Sequence, residues 1–180
     1  MRIITGSRRG LKLIGPKGDH TRPTESRIKE SLFNILGNVV DSTVCDLFSG
    51  SGAIGLEFLS RGAKLVYFVE NDTNALVALK SNLNKAKLPN YKIIEKDYII
   101  ALSEIAKTEI PFNFIYIDPP YDAINIYETS LKIINQLDIF QKSLIIVESD
   151  INTEINNIQL FDVIDKRKYR NTILYFLRRN

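Results

Sequence analysis

Between residues 43 and 147 the chain alternates in texture. Short runs rich in β-branched and aromatic residues end in polar or glycine-rich turns. Stretches with the apolar spacing of a helix follow them. The predicted strands are residues 44–48, 65–69, 91–95, 114–117 and 144–147. The predicted helices cover 54–59, 75–86, 98–107 and 126–137, with Leu76, Leu79 and Leu83 on one face of the second and Tyr127, Leu131 and Ile134 on one face of the last. Strands alternating with helices predict βαβ units, and therefore a parallel sheet covered on both faces. After residue 150 the alternation stops, and 160–165 and 172–177 predict two strands with no helix between them, a closing antiparallel hairpin. The fold class is α/β, a doubly wound sheet.

The first forty residues follow another pattern. Runs at 2–5 and 11–14 flank Gly6-Ser7-Arg8-Arg9-Gly10, which predicts a small basic hairpin. A loop with Gly15, Pro16, Gly18 and Pro23 comes next, and Thr24 is placed to cap a helix. Ile28, Leu32, Ile35 and Leu36 form its apolar stripe, which ends at Gly37. Expected is one domain over 1–180: an N-terminal extension, 1–40, on a sheet formed by 41–180.

Composition removes whole classes of chemistry. In 180 residues, 44% hydrophobic and 25% charged, there is one cysteine, Cys45, and one histidine, His20. These counts exclude a disulfide framework and a cysteine- or histidine-based metal cage, so no metal is expected. Cys45 lies in an apolar strand and is expected in the core. His20, in a polar loop, is read as a surface residue or a phosphate contact. No apolar run reaches the roughly 18–20 residues that span a bilayer. The start carries no signal-like apolar segment, so a reducing, cytoplasmic location and no membrane partner are expected. Net charge is +3, unevenly spread: residues 1–30 carry +5, residues 166–180 carry +6 with no acid, and the middle carries −8. Basic ends around an acidic body suggest a polyanion gripped by the termini. Arg8, Arg9, Lys12, Arg22 and Arg27 are the candidate phosphate contacts.

Ligands of such a sheet bind outside the carboxyl ends of its strands, and two of these ends carry chemistry. The first strand runs into Asp46-Leu47-Phe48-Ser49-Gly50-Ser51-Gly52-Ala53-Ile54-Gly55. Gly50, Gly52 and Gly55 give the spacing of a nucleotide-binding turn between strand and helix. The second strand ends in Glu70, 24 positions after Asp46, where a carboxylate can accept ribose hydroxyls. The third leads to Asp97, placed to accept from an adenine amino group. These residues alone fit NAD as well as S-adenosylmethionine. The fourth strand runs into Asp118-Pro119-Pro120-Tyr121. The prolines fix the backbone and remove two donors, leaving carbonyls that accept. Asp118 and the Pro119 carbonyl can take both N–H bonds of a planar amine, and Tyr121 can stack an extruded base. No metal, nucleophile or histidine base is required.

Asp46-Leu-Phe-Ser-Gly-Ser-Gly with Asp118-Pro-Pro-Tyr resembles class I S-adenosylmethionine-dependent methyltransferases acting on an exocyclic amine. The opening, Arg2-Ile-Ile-Thr-Gly-Ser-Arg-Arg-Gly-Leu-Lys-Leu, with Arg22-Pro-Thr-Glu-Ser-Arg-Ile-Lys-Glu-Ser-Leu-Phe-Asn-Ile-Leu, is similar to the bacterial RsmD-type 16S rRNA (guanine-N2) methyltransferases. The similarity runs through Gly55-Leu-Glu-Phe-Leu-Ser-Arg-Gly-Ala to Ile146-Val-Glu-Ser. It implies a seven-stranded Rossmann-like sheet, mostly parallel with an antiparallel last strand. It also implies S-adenosylmethionine as cofactor, held at Asp46, Phe48, Gly50, Gly52, Glu70, Asn71 and Asp97, and catalysis at Asp118, Pro119, Pro120 and Tyr121. The implied substrate is a guanine of 16S rRNA in the small ribosomal subunit or its assembly intermediate. Arg170 stands where a glycine is expected in the closing hairpin, which questions the turn there. Two alternatives stay open: a DNA adenine-N6 methyltransferase, which shares Asp-Pro-Pro-Tyr, and a non-catalytic RNA-binding assembly factor on the same fold.

Overall fold

In the computed structural model, residues 1–16, 26–120 and 124–180 are described. Seven strands form one sheet: β1 (Thr43–Asp46), β2 (Leu65–Val69), β3 (Tyr91–Ile94), β4 (Phe114–Ile117), β5 (Leu144–Asp150), β6 (Phe161–Lys168) and β7 (Thr172–Arg179). Their order across the sheet is β3-β2-β1-β4-β5-β7-β6. The first five pair in parallel, β7 lies antiparallel to β5, and β6 is antiparallel to β7. The antiparallel strands outrun their expected limits, because their ends are polar and only pairing reveals them. Winding reverses between β1 and β4, so a crevice opens at their carboxyl ends.

Helices α1 (Ser26–Leu36), α2 (Ala53–Ser60), α3 (Thr73–Ala86), α4 (Tyr98–Ala106) and α5 (Ile124–Gln136) cover the two faces, and short 3-10 turns follow at Asp138–Phe140 and Asn156–Leu160. Alternation along each strand divides the core into two layers. Val44, Phe68, Tyr116 and Ile146 pack with Leu32 and Phe33 of α1, Leu56 and Phe58 of α2 and Leu79 and Leu83 of α3. Cys45, Tyr67, Ile115 and Val147 face Ala101, Leu102 and Ile105 of α4 and Leu131 and Ile134 of α5. Cys45 is fully buried there, and burial pushes its thiol far above the ordinary range.

The N-terminal arms pair less than expected. Their single bridge joins Arg2 to Lys12, supported by N–H bonds from Ile3 to Leu11, Gly10 to Ile3 and Leu13 to Met1. Ile4 and Thr5 instead donate their N–H groups to the carboxylate of Glu57 on α2, at 2.8 and 2.9 Å. Ile3 and Leu13 join the α1–α2–α3 core layer. Thr24, the expected helix cap, lies outside the described residues, as do His20 and Arg22. Arg170 takes an ordinary backbone: it is absent from the non-glycine residues with positive φ, so the turn of the closing hairpin forms without a glycine.

Candidate active site

The turn after β1 is built by two carboxylates and two glycines. Gly50 and Gly52 have φ of 53° and 79°, the left-handed region that favours glycine. Gly55 answers a different need, because a Cβ there would lie 2.2 Å from the Phe68 ring. Gly52 opens α2 without a side-chain cap; the first-turn N–H of Gly55 is taken by Asp46 Oδ2 at 3.0 Å. Asp46 is 1% exposed. Burial, with the nearby charge of Glu70, pushes its carboxyl up to about 7, against the opposing pull of the Gly55 N–H.

Glu70 closes the turn from the end of β2. Its Oε2 accepts from the Gly50 N–H at 2.7 Å, and its Oε1 accepts from the N–H groups of Asn71 and Asp72 at 2.8 and 2.9 Å. A carboxylate oxygen has two lone pairs, so Oε2 retains one for a ligand hydroxyl while Oε1 is filled. Glu70 thus holds the glycine turn as well as facing the crevice. Asp97 likewise has a second duty, since its Oδ1 caps α4 through the Ile99 N–H at 2.9 Å. The half-buried Phe48 ring stands 5.4 Å from Tyr98. Tyr98, read in the sequence only as the start of a helix, joins this edge; its signal was adjacency to Asp97. Asn71 is exposed beside Glu70.

At the end of β4, Asp118 is half-buried, Pro119 buried and Pro120 exposed, while Tyr121 lies outside the described residues. Sheet register gives this corner its neighbours. Asp46 pairs with Tyr116, and Ile117 with Val147, so one residue further Asp118 stands beside Glu148 on β5. The Tyr116 hydroxyl donates to Glu148 Oε2, and the Tyr127 hydroxyl donates to the Glu148 carbonyl at 3.0 Å. Burial, then the charges of Glu148, Asp118 and Asp46, hold the Tyr116 phenol well above its usual range, so it remains a neutral donor. Tyr116 packs in the core and also carries this bond. Glu148 was missed as a site residue; its signal was an acid directly after the apolar run Leu144–Val147.

The basic candidates separate. Arg8 donates through Nε to the Ala86 carbonyl and through Nη2 to the Lys87 carbonyl at 3.4 Å, closing the end of α3. Ser7 and Arg8 also bond Ser60, the last residue of α2. Both helices run from the carboxyl edge of the sheet to its opposite edge, so the tip carrying Arg8 and Arg9 lies away from Asp118. Arg9, Lys12 and Arg27 are exposed. Among the described residues no group of His, Cys, Asp and Glu is placed to hold a metal, and no helix is long and apolar enough to cross a membrane.

Comparison with known proteins adds an independent line. The profile of the family described as conserved hypothetical protein 95 matches residues 1–178. The chain is 34% identical over 182 residues to "Ribosomal RNA small subunit methyltransferase D" of Escherichia coli, spanning 98% of this chain and 88% of the relative. It is 37% identical over 158 residues to "Putative rRNA methyltransferase YlbH" of Bacillus subtilis, spanning 86% and 85%. Among solved structures, "Putative methyltransferase yhhF from Escherichia coli" superposes with a TM-score of 0.83 at 30% identity, covering 100% of this chain and 98% of that one.

Proposed function

The chain belongs to the conserved hypothetical protein 95 family, and from that premise we propose that it transfers a methyl group from S-adenosylmethionine to the exocyclic N2 of a guanine in 16S rRNA. The observation that carries this reading is the placement of Asp118, Pro119 and Pro120 on the same sheet edge as the glycine turn, Glu70 and Asp97. Relatives named as small-subunit rRNA methyltransferases favour the rRNA substrate over DNA adenine.

The residues fit the cofactor. A Cβ at Gly50 would meet nothing within 4 Å, so the turn presents open space to a ligand. Glu70 Oε2 would take a ribose hydroxyl, Asp97 would accept from the adenine amine, and Phe48 with Tyr98 would wall the adenosine. Asp46, Gly52 and Asn71 shape the turn. When bound, S-adenosylmethionine would supply the electrophilic methyl group of its sulfonium, whose carbon–sulfur bond breaks as the neutral thioether leaves.

Asp118 and the Pro119 carbonyl accept the two N–H bonds of the guanine amine and so point its lone pair. Pro120 stiffens this backbone, and Tyr121 stacks the extruded base. As nitrogen forms its bond to carbon it gains positive charge and loses planarity. The fixed acceptors stabilise that change without reorganising. The extra proton then leaves through the acceptor at Asp118. Lys12, Arg22 and Arg27 meet RNA phosphates, Arg9 does so only where a large RNA reaches the sheet edge away from Asp118, and a cytoplasmic site of action follows from such a substrate.

The test is transfer of labelled methyl from S-adenosylmethionine to small-subunit particles, with the product nucleoside identified by mass spectrometry. N2-methylguanosine is expected. A methylated adenine, or transfer to DNA in preference to rRNA, overturns the reading.

A further inference from the structure

We infer that the tip of the β6–β7 hairpin, with Arg167, Lys168 and Arg170, is a separate RNA surface that holds the phosphate backbone flanking the nucleotide delivered to Asp118. This rests on the proposed function and adds a site to it. Position is the first argument. Thr172, which opens β7, pairs with Asp150 at the end of β5, so the turn at 169–171 lies on the carboxyl edge of the sheet. Register then ties it to the chemistry: Glu148, beside Asp118, pairs with Leu174, and Leu174 pairs with Arg167. Three strand spacings separate Asp118 from Arg167, about 14 Å. A nucleotide neighbouring an extruded base has its phosphate within that reach.

Charge is the second argument. Lysines along an exposed edge strand ordinarily guard against pairing with another sheet. A guard would run the length of β6, yet the stretch Phe161, Asp162, Val163, Ile164 and Asp165 holds no cation and exposes Val163 and Ile164 at 49% and 56%. The cations gather at 166–170, on the catalytic edge. Lys168 and Arg170 are exposed and enter no ion pair among the described residues. Arg167 is paired with Asp165 at 2.9 Å but stays 55% exposed, and Lys166 sits 4.8 Å over the Tyr175 ring.

The tip is also held firmly. The Tyr169 N–H bonds the Thr172 carbonyl at 2.7 Å, and the Ile151 N–H bonds the Asn171 carbonyl at 3.1 Å. The Tyr169 hydroxyl shares a hydrogen bond with Ser31 of α1. A cationic surface fixed relative to Asp118 can set the register of an RNA strand.

The experiment compares Lys168→Ala/Arg170→Ala and Lys168→Glu/Arg170→Glu with wild type, using deproteinised 16S rRNA and small-subunit particles. Loss of two single-strand phosphate contacts lowers the slope of log K against log salt by about 1.4. The charge reversal raises KM for rRNA roughly tenfold or more, the scale of charged hydrogen bonds. Affinity for S-adenosylmethionine, thermal midpoint and kcat at saturating RNA stay at wild-type values. An unchanged salt slope and KM in both variants overturns the tip as an RNA surface. So does a loss confined to particles with naked rRNA bound normally, which makes a protein the partner. A wild type that methylates no rRNA refutes the reading beneath; a methylating wild type with indifferent tip variants refutes the tip alone.

Discussion

Asp118 and Glu70 make opposite demands on the protein, and substitution separates them. On the proposed mechanism Asp118→Ala removes an acceptor for the developing charge, so turnover should fall by about two to three powers of ten with cofactor affinity retained. Single-turnover methyl transfer beside calorimetric titration checks it, and near-normal turnover places the amine elsewhere. Glu70→Ala should weaken S-adenosylmethionine by about 1–3 kcal/mol, the scale for a lost charged hydrogen bond. Because Glu70 also holds the Gly50 N–H at 2.7 Å, amide exchange at the glycine turn should quicken in that variant. Their places at the end of β2 and just beyond β3 made Glu70 and Asp97 legible as candidate ligand contacts. Their backbone bonds were not, since those depend on where a turn's N–H groups end up. Glu148 escaped for a similar reason: its partner Tyr116 is 32 residues distant, and only strand register joins them.

The N-terminal hairpin shows how one residue decides the placement of an element. In the sequence Glu57 is a polar point in a short apolar helix. In the fold it is 0% exposed and receives Ile4, Thr5, Arg61 at 2.9 Å and Lys29 at 3.2 Å. Lys29 in turn donates to the Arg2 carbonyl at 2.6 Å, and burial lowers its pKa despite the neighbouring Glu57. Arg61 also lies 4.4 Å over the Phe33 ring of α1. Glu57→Ala leaves the buried Lys29 ammonium without its counter-charge and the N–H groups of Ile4 and Thr5 without their acceptor. Breaking one side of such a buried pair costs about 3–5 kcal/mol. Chemical denaturation should show that loss, and native-state exchange should show the Ile3 and Leu13 amides losing protection together. A variant with wild-type stability would assign the clasp to the apolar contacts of Ile3 and Leu13. The periodicity of the first forty residues predicted the elements but not the clasp. A carboxylate that binds backbone at a separation of more than fifty residues leaves no periodic trace.

At the scale of the whole molecule the alternation of strands and helices carried most of the architecture, because each βαβ unit writes its own pattern. The place where winding reverses, between β1 and β4, is set by strand pairing and leaves no mark in the alternation. The conflict written into that place shows in stability. Asp46 must be buried to cap α2 from beneath, and burial raises its carboxyl from 3.8 to about 7. Between about pH 4 and 7 the native state therefore keeps a proton that the unfolded chain has released. Stability contributed by this group falls as pH rises through that window and levels off above about 7. The difference of about three units corresponds to a loss on the order of 4 kcal/mol at most. Asp46→Asn keeps an oxygen for the Gly55 N–H and removes the titration, so its stability should stay nearly flat where the wild type declines. Urea midpoints at pH 5, 6, 7 and 8 measure both curves. If they decline in parallel, Asp46 is ionised throughout, and the turn tolerates its charge by other means.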